Sequence, residues 1–301
     1  MKIPKLVIWR ARPAKVALVL IAALGGCSGS GEPTDPPQPI GNAPPTGGSD
    51  PPLPTANGDT GGGIWWGVLS RDGEVVNDAM CLLVEAGELA CVLGKPSNEG
   101  GVFQPSENMV GAVHGNVHVS DRSQASGSGK TYATQGNVLT DGVSVVADFT
   151  VVGGTLREQN SLLDLTFTSL GEEYTFSGFY DHYYATVGNA FVWPADGVYT
   201  SFDIYGDPAS LTIDPDGALF LQSASGCSGN GQMTNIDPGH VRNTPGFNAY
   251  TVDVTVSDCE GLNGAHSGLA TLIDFAWVNG TDNLVIAVFT DTTAIVGEAV
   301  K

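Results

Sequence analysis

From Gly63 onward, apolar and polar positions alternate in short segments separated by Gly, Asn and Asp. That is the period of half-buried strands, not of a helix. Tyr250-Thr251-Val252-Asp253-Val254-Thr255-Val256 keeps one apolar face throughout, and Leu163-Asp164-Leu165-Thr166-Phe167 repeats the pattern. Each such strand turns one face to a core and one to water. Further strands are predicted over 64–70, 79–84, 88–93, 109–120, 143–152, 174–177, 198–205, 210–214, 218–223, 267–275 and 284–290. The fold class is all-β.

The strands fall into two similar runs. Gly63-Ile64-Trp65-Trp66, followed by a hairpin turning at Glu85-Ala86-Gly87, parallels Gly197-Val198-Tyr199-Thr200, followed by one turning at Pro215-Asp216-Gly217. Two duplicated antiparallel lobes are expected, over 63–190 and 191–301, each long enough for its own core. Open sheets of this length would leave edges prone to aggregation, so small barrels or rolled sheets are expected rather than flat ones.

The region before residue 63 has a different texture. Lys2, Lys5, Arg10, Arg12 and Lys15 precede an apolar run from Val16 to Leu24. As a helix that run rises only about 14 Å, too short to span a bilayer, and the arrangement is that of an export signal. Leu24-Gly25-Gly26-Cys27 resembles the lipobox of bacterial lipoproteins. The resemblance implies a signal peptide over 1–26, acylation of Cys27 and, because Ser28 follows, transfer to the outer membrane. Residues 27–62 are rich in Pro, Gly, Ser and Asp and poor in apolar side chains. They read as a lipidated, disordered tether reaching from about 35 Å as a coil to about 100 Å as polyproline.

Cysteine and charge fit an exported protein. Setting Cys27 aside leaves Cys81, Cys91, Cys227 and Cys259. An even number in an oxidising compartment is read as two disulfides. In Val84-Glu85-Ala86-Gly87-Glu88 the glycine stands where a type I turn followed by a left-handed residue closes a three-residue hairpin. That register sets Cys81 opposite Cys91, leaving Cys227 to pair with Cys259. No C-x-x-C or nearby His favours a metal site instead. Loss of the leader bases leaves seven Lys and Arg against 32 Asp and Glu, a net charge of about −25. Such a surface gains no counterion release from a polyanion, so nucleic acid is excluded as a partner.

The G-[IL]-W-x-G opening, the turn-glycine hairpin, the crossover Tyr180-Asp181-His182-Tyr183-Tyr184 and the second lobe's G-x-Y opening resemble a group of uncharacterised two-lobed β lipoproteins of Gram-negative bacteria. Lipidated barrel modules of the transferrin-binding-protein type are similar in architecture, though their large handle domains have no counterpart here. The resemblance implies a surface-binding role and brings no catalytic residues with it.

Candidate chemistry is sparse. Gly127-Ser128-Gly129-Lys130-Thr131 looks like the end of a phosphate-binding loop, but Gln124 stands where its first Gly is needed. A flexible hairpin tip is the expected structure. His114 and His118 share a strand face, about 13 Å apart at Cα, too far to chelate one ion, and are expected at the solvent surface. His182, His240 and His266 lack ligand partners at metal spacing, and Ser228 lies in no nucleophile elbow. The acid pairs Asp214/Asp216 and Asp203/Asp207 are turn formers more than a calcium loop. The aromatics Tyr180, Tyr183, Tyr184 and Trp193 are the place to look for a sugar, haem or hydrophobic ligand, although packing between the lobes accounts for them better. No catalytic residue, metal or cofactor is expected. The expected function is a non-enzymatic binding module, anchored by lipid to the outer membrane and engaging a small ligand or envelope protein. An envelope enzyme acting on glycan or lipid is the alternative.

Overall fold

The computed structural model describes residues 5–9, 61–96, 109–120, 122–134, 137–140, 145–157, 162–181, 184, 196–202, 207–236, 247–274 and 282–301. All belong to one compact unit comprising Met1–Arg12 and Pro54–Lys301. The sequence readings at Cys27, the tether, His182, Tyr183, Trp193, Asp203 and His240 fall outside the described residues.

The first lobe is a closed antiparallel barrel of β2 (Gly63–Arg71), β3 (Glu74–Leu83), β4 (Glu88–Gly94), β5 (Met109–Ser120), β6 (Gln124–Ala133), β7 (Val146–Arg157), β8 (Leu162–Ser169) and β9 (Glu172–Asp181). Consecutive strands pair, and β2 closes on β9 from Ile64↔Asp181 to Ser70↔Thr175. The second lobe repeats this with β10 (Gly197–Phe202), β11 (Pro208–Ile213), β12 (Ala218–Ser223), β13 (Ser228–Asn235), β14 (Tyr250–Ser257), β15 (Gly264–Asp274), β16 (Asp282–Phe289) and β17 (Thr293–Val300), closed through β10 and β17. Closure removes the sheet edges that two open sheets would carry.

The duplication extends to individual hydrogen bonds. Trp65 and Tyr199, third residues of the two openings, are both buried inside their barrels. In the first hairpin the Val84 N–H donates to Glu88, the Gly87 N–H to Val84, and the Gly87 carbonyl accepts from Val117 on β5. In the second, Asp214 donates to Ala218, Gly217 to Asp214, and the Gly217 carbonyl accepts from Met233 on β13. Both glycines hold positive φ, 96° and 83°, where any other L-residue is strained. The same turn sets the register Cys81↔Cys91, and these two form a disulfide. A second disulfide joins Cys227 to Cys259.

Each barrel is filled by its own side chains, as eight-stranded closure permits. Trp65, Leu83, Leu93, Val117, Phe149, Phe167, Tyr174 and Phe176 are among those filling the first, and Tyr199, Leu219, Met233, Tyr250, Val252 and Leu272 among those filling the second.

Three differences from the sequence reading have physical causes. Gly127–Thr131 is not a hairpin tip but the middle of β6. A Cβ on Gly127 or Gly129 would lie 2.1–2.2 Å from carbonyls of Asn116 and His114, and the Phe149 ring covers Gly129. The glycines mark close backbone approach and an aromatic lid, a use of Gly that reads as a loop in sequence. Strand β13 was missed because Gly229 and Gly231 occupy its inward positions. Strand β17 was missed because both its faces are buried, which erases alternation. Lys5–Trp9, within the segment read as leader, forms strand β1, paired in parallel with β17.

Candidate functional site at the seam between the barrels

Some strands bury their outward faces too. Met80, Leu82, Ala90, Val92, Met109, Ala112 and Tyr132 of the first barrel pack against Leu269, Ile273, Val285, Ala287, Phe289, Ala294 and Val296 of the second in one shared core. Polar bonds fix the contact. The Tyr132 hydroxyl donates to the Thr290 carbonyl at 2.8 Å, and the Asn248 N–H donates to the Tyr184 carbonyl at 2.8 Å. Burial, together with Asp291 and Asp148, pushes the Tyr132 phenol up to about 12, so it remains a neutral donor.

An aromatic chain crosses this seam. The Trp65 indole donates to the Gly61 carbonyl at 2.9 Å. Its ring lies 5.3 Å from Tyr180, edge to face, and Tyr180 lies 6.3 Å from Tyr184, again edge-on. Tyr184 in turn stacks on Phe247 at 5.0 Å. Of the four aromatics singled out in the sequence, Tyr180 and Tyr184 are brought together here. Tyr184 is only 1 % exposed, so its ring is seam packing rather than an open platform. Burial, then Asp181 and Glu85, raises the Tyr180 phenol, which also stays protonated.

His114 is half-buried rather than fully at the surface, its side chain 26 % exposed. Its ring stacks on Phe289 of the second barrel at 4.3 Å and 5°, and its Nε2 lies 3.1 Å from Glu88 Oε1. The position faces outward from the first barrel, and the second barrel partly covers that wall here. His118 remains exposed. His266 points into the second barrel at 3 % exposure; its Nδ1–H donates to the Gly264 carbonyl at 3.1 Å, and its Nε2 has no partner among the described residues. Burial pulls its imidazole below the usual histidine range, partly opposed by that bond. Asp214 Oδ1 accepts the N–H groups of Asp216 and Ala218, so it closes its own turn. Ser228 opens β13. Among the described residues no cluster of His, Cys, Asp or Glu is arranged to hold a metal ion.

Sequence reasoning missed the exposed aromatics on the barrel walls. One cross-strand row runs Leu162, Phe179, Trp66, Met80, Val92, Ala112, Tyr132 around the first barrel. Its Met80-to-Tyr132 portion is covered by the second barrel, whereas Phe179 is 67 % exposed. Beside Phe179, the Trp66 indole donates to Asp181 Oδ2 at 2.8 Å, which fixes the ring. On the second barrel, Phe220 is 54 % exposed above a shallow groove of about 530 Å³ that Gln222, Ser228 and Asn230 also line. The signal available in sequence was an apolar residue at a water-facing position, as in Leu219-Phe220-Leu221.

No protein-family model matches the chain, and no curated protein is similar to it in sequence. A solved structure similar to it is that of a Bacteroides fragilis protein provisionally described as an outer membrane protein. The two are 13 % identical, with 79 % of this chain and 94 % of that one covered, at a TM-score of 0.23.

Proposed function

We propose that the protein is a lipid-anchored, non-enzymatic binding module of the outer membrane, held there through Cys27 and engaging another envelope protein or a small ligand through its outer barrel walls. The observation that carries the binding surface is the row that leaves the seam: buried from Met80 to Tyr132, it continues into Trp66 and the exposed Phe179. Aromatic residues are enriched at protein interfaces, and the bond from Trp66 to Asp181 holds one of this pair in place. The barrel interiors and the seam are packed with apolar side chains, leaving inside the second barrel a cavity of only about 40 Å³, which supports recognition on the walls. The acidic chain supports a basic or neutral partner.

Two measurements test this. Cys27→Ser should abolish metabolic labelling with a palmitate analogue and release soluble protein from the membrane fraction; persistent labelling removes the anchor from the proposal. Phe179→Ala should lower capture of the partner by about tenfold or more while the melting temperature moves by less than about 2 °C. Unchanged capture in that variant removes this wall from the proposal.

A further inference from the structure

The two barrels are closed differently. Strands β2 and β9 pair along most of their length, whereas among the described residues β10 and β17 share one register pair, Thr200↔Val300. Two side-chain bonds back it: Thr200 Oγ1 to the Val300 carbonyl at 3.3 Å and Ser201 Oγ to the Glu298 carbonyl at 3.0 Å. Further along the same edge, opposite β16, β17 is occupied by β1, in parallel from Lys5↔Thr293 to Trp9↔Gly297. Behind this seam the barrel is incompletely filled. A cavity of about 40 Å³ is lined by Ser201, Leu211, Leu221, Ile295, Gly297 and Ala299. Gly297 faces it without a side chain, and the lining is almost wholly apolar.

Under the lipoprotein reading, on which this inference rests, maturation removes Lys5–Trp9. Among the described residues, the β17 edge over Thr293–Gly297 then has no other strand against it beside that cavity. Such an edge is a template for another strand. We infer that it is a strand-acceptor site for an extended apolar segment with basic flanks, supplied by a partner polypeptide and added in parallel to β17. Main-chain bonds would supply affinity, and alternate side chains selectivity.

The chemistry of the occupant follows from the segment seated there. Leu6-Val7-Ile8-Trp9 is a run of apolar residues, three of them strong strand formers, and Lys2, Lys5, Arg10 and Arg12 flank it. The acceptor is a chain with seven Lys and Arg against 32 Asp and Glu once the leader is gone. Opposite charge therefore favours basic flanks and raises the rate of encounter.

The test uses the envelope-derived protein and a synthetic peptide of residues 1–12. Intact mass first shows whether residues 1–26 are absent. Amide hydrogen exchange is then followed over Thr293–Gly297, with Val285–Phe289 as an internal standard. The mature protein should exchange at least about tenfold faster over Thr293–Gly297 than over the standard, and the peptide should remove that difference. A peptide carrying Val7→Pro should not, because proline cannot donate to the ladder. Three results overturn the inference. In the first, Thr293–Gly297 is already as protected as the standard without peptide, or the peptide leaves its exchange unchanged. In the second, protection rises with protein concentration alone, which assigns the edge to a second copy. In the third, residues 1–26 are retained in the mature protein, which also overturns the leader reading and is distinguished by mass.

Discussion

At the scale of single residues, two buried groups set measurable behaviour. The His266 imidazole lies inside the second barrel with its basicity lowered by burial. The unfolded chain, with an ordinary histidine value of about 6.5, takes up that proton first as pH falls. Unfolding therefore binds a proton below that point, and stability declines with falling pH until the lowered folded value is reached. Denaturant titrations between pH 8 and 4 should show this acid loss, and His266→Phe should flatten it; an unchanged slope would mean that other groups carry it. The Cys81–Cys91 disulfide closes a short loop between buried strands. Replacing both cysteines by Ser should cost the first barrel about 2–3 kcal/mol in the chain-entropy model, read as a fall in denaturant midpoint.

At the scale of elements, strand β6 shows how backbone approach governs tolerance. Gly129 faces inward, beneath Phe149, with the His114 carbonyl 2.2 Å from where a Cβ would sit. Ser128, its neighbour, faces the other side. Gly129→Val should therefore destabilise by about 3 kcal/mol or more, while Ser128→Val should stay within about 0.5 kcal/mol. Equal losses in thermal melts would contradict the assigned facing of this strand. The hairpins at Gly87 and Gly217 make the complementary point. Each glycine has positive φ, and its carbonyl accepts from the fourth strand of its barrel, so one turn positions three strands.

At the scale of the molecule, the shared core makes the two barrels one cooperative body. Met80, Val92 and Tyr132 bury against Val285, Phe289 and Val296. A barrel expressed alone would expose that patch, and large exposed apolar patches promote association. The whole chain should melt in a single transition, and residues 63–181 alone should bind a hydrophobic dye that the whole chain does not. Tyr184→Ala, removing a ring that is wholly buried between Tyr180 and Phe247, should cost about 3–5 kcal/mol and lower that single transition. Two separate melts would show that the seam does not couple the barrels.

The alternating pattern at 163–167 and 250–256, the turn glycines Gly87 and Gly217 and the register opposing Cys81 to Cys91 were legible in the sequence. They are local: a period of two, a positive φ and a loop length each act within a few residues. The repeated Gly-aromatic openings likewise marked Trp65 and Tyr199 as equivalent positions before either was seen to be buried. What lay opposite each strand was not local. Strand β17 hides its alternation because one face fills a barrel and the other meets its neighbour, and His114 is partly covered because Phe289 arrives from the other lobe. Which aromatics are packing and which are exposed was decided in the same way. Tyr184 is enclosed and Phe179 is not, because the second barrel covers only part of the first barrel's wall, a boundary set by long-range docking that no window of sequence contains.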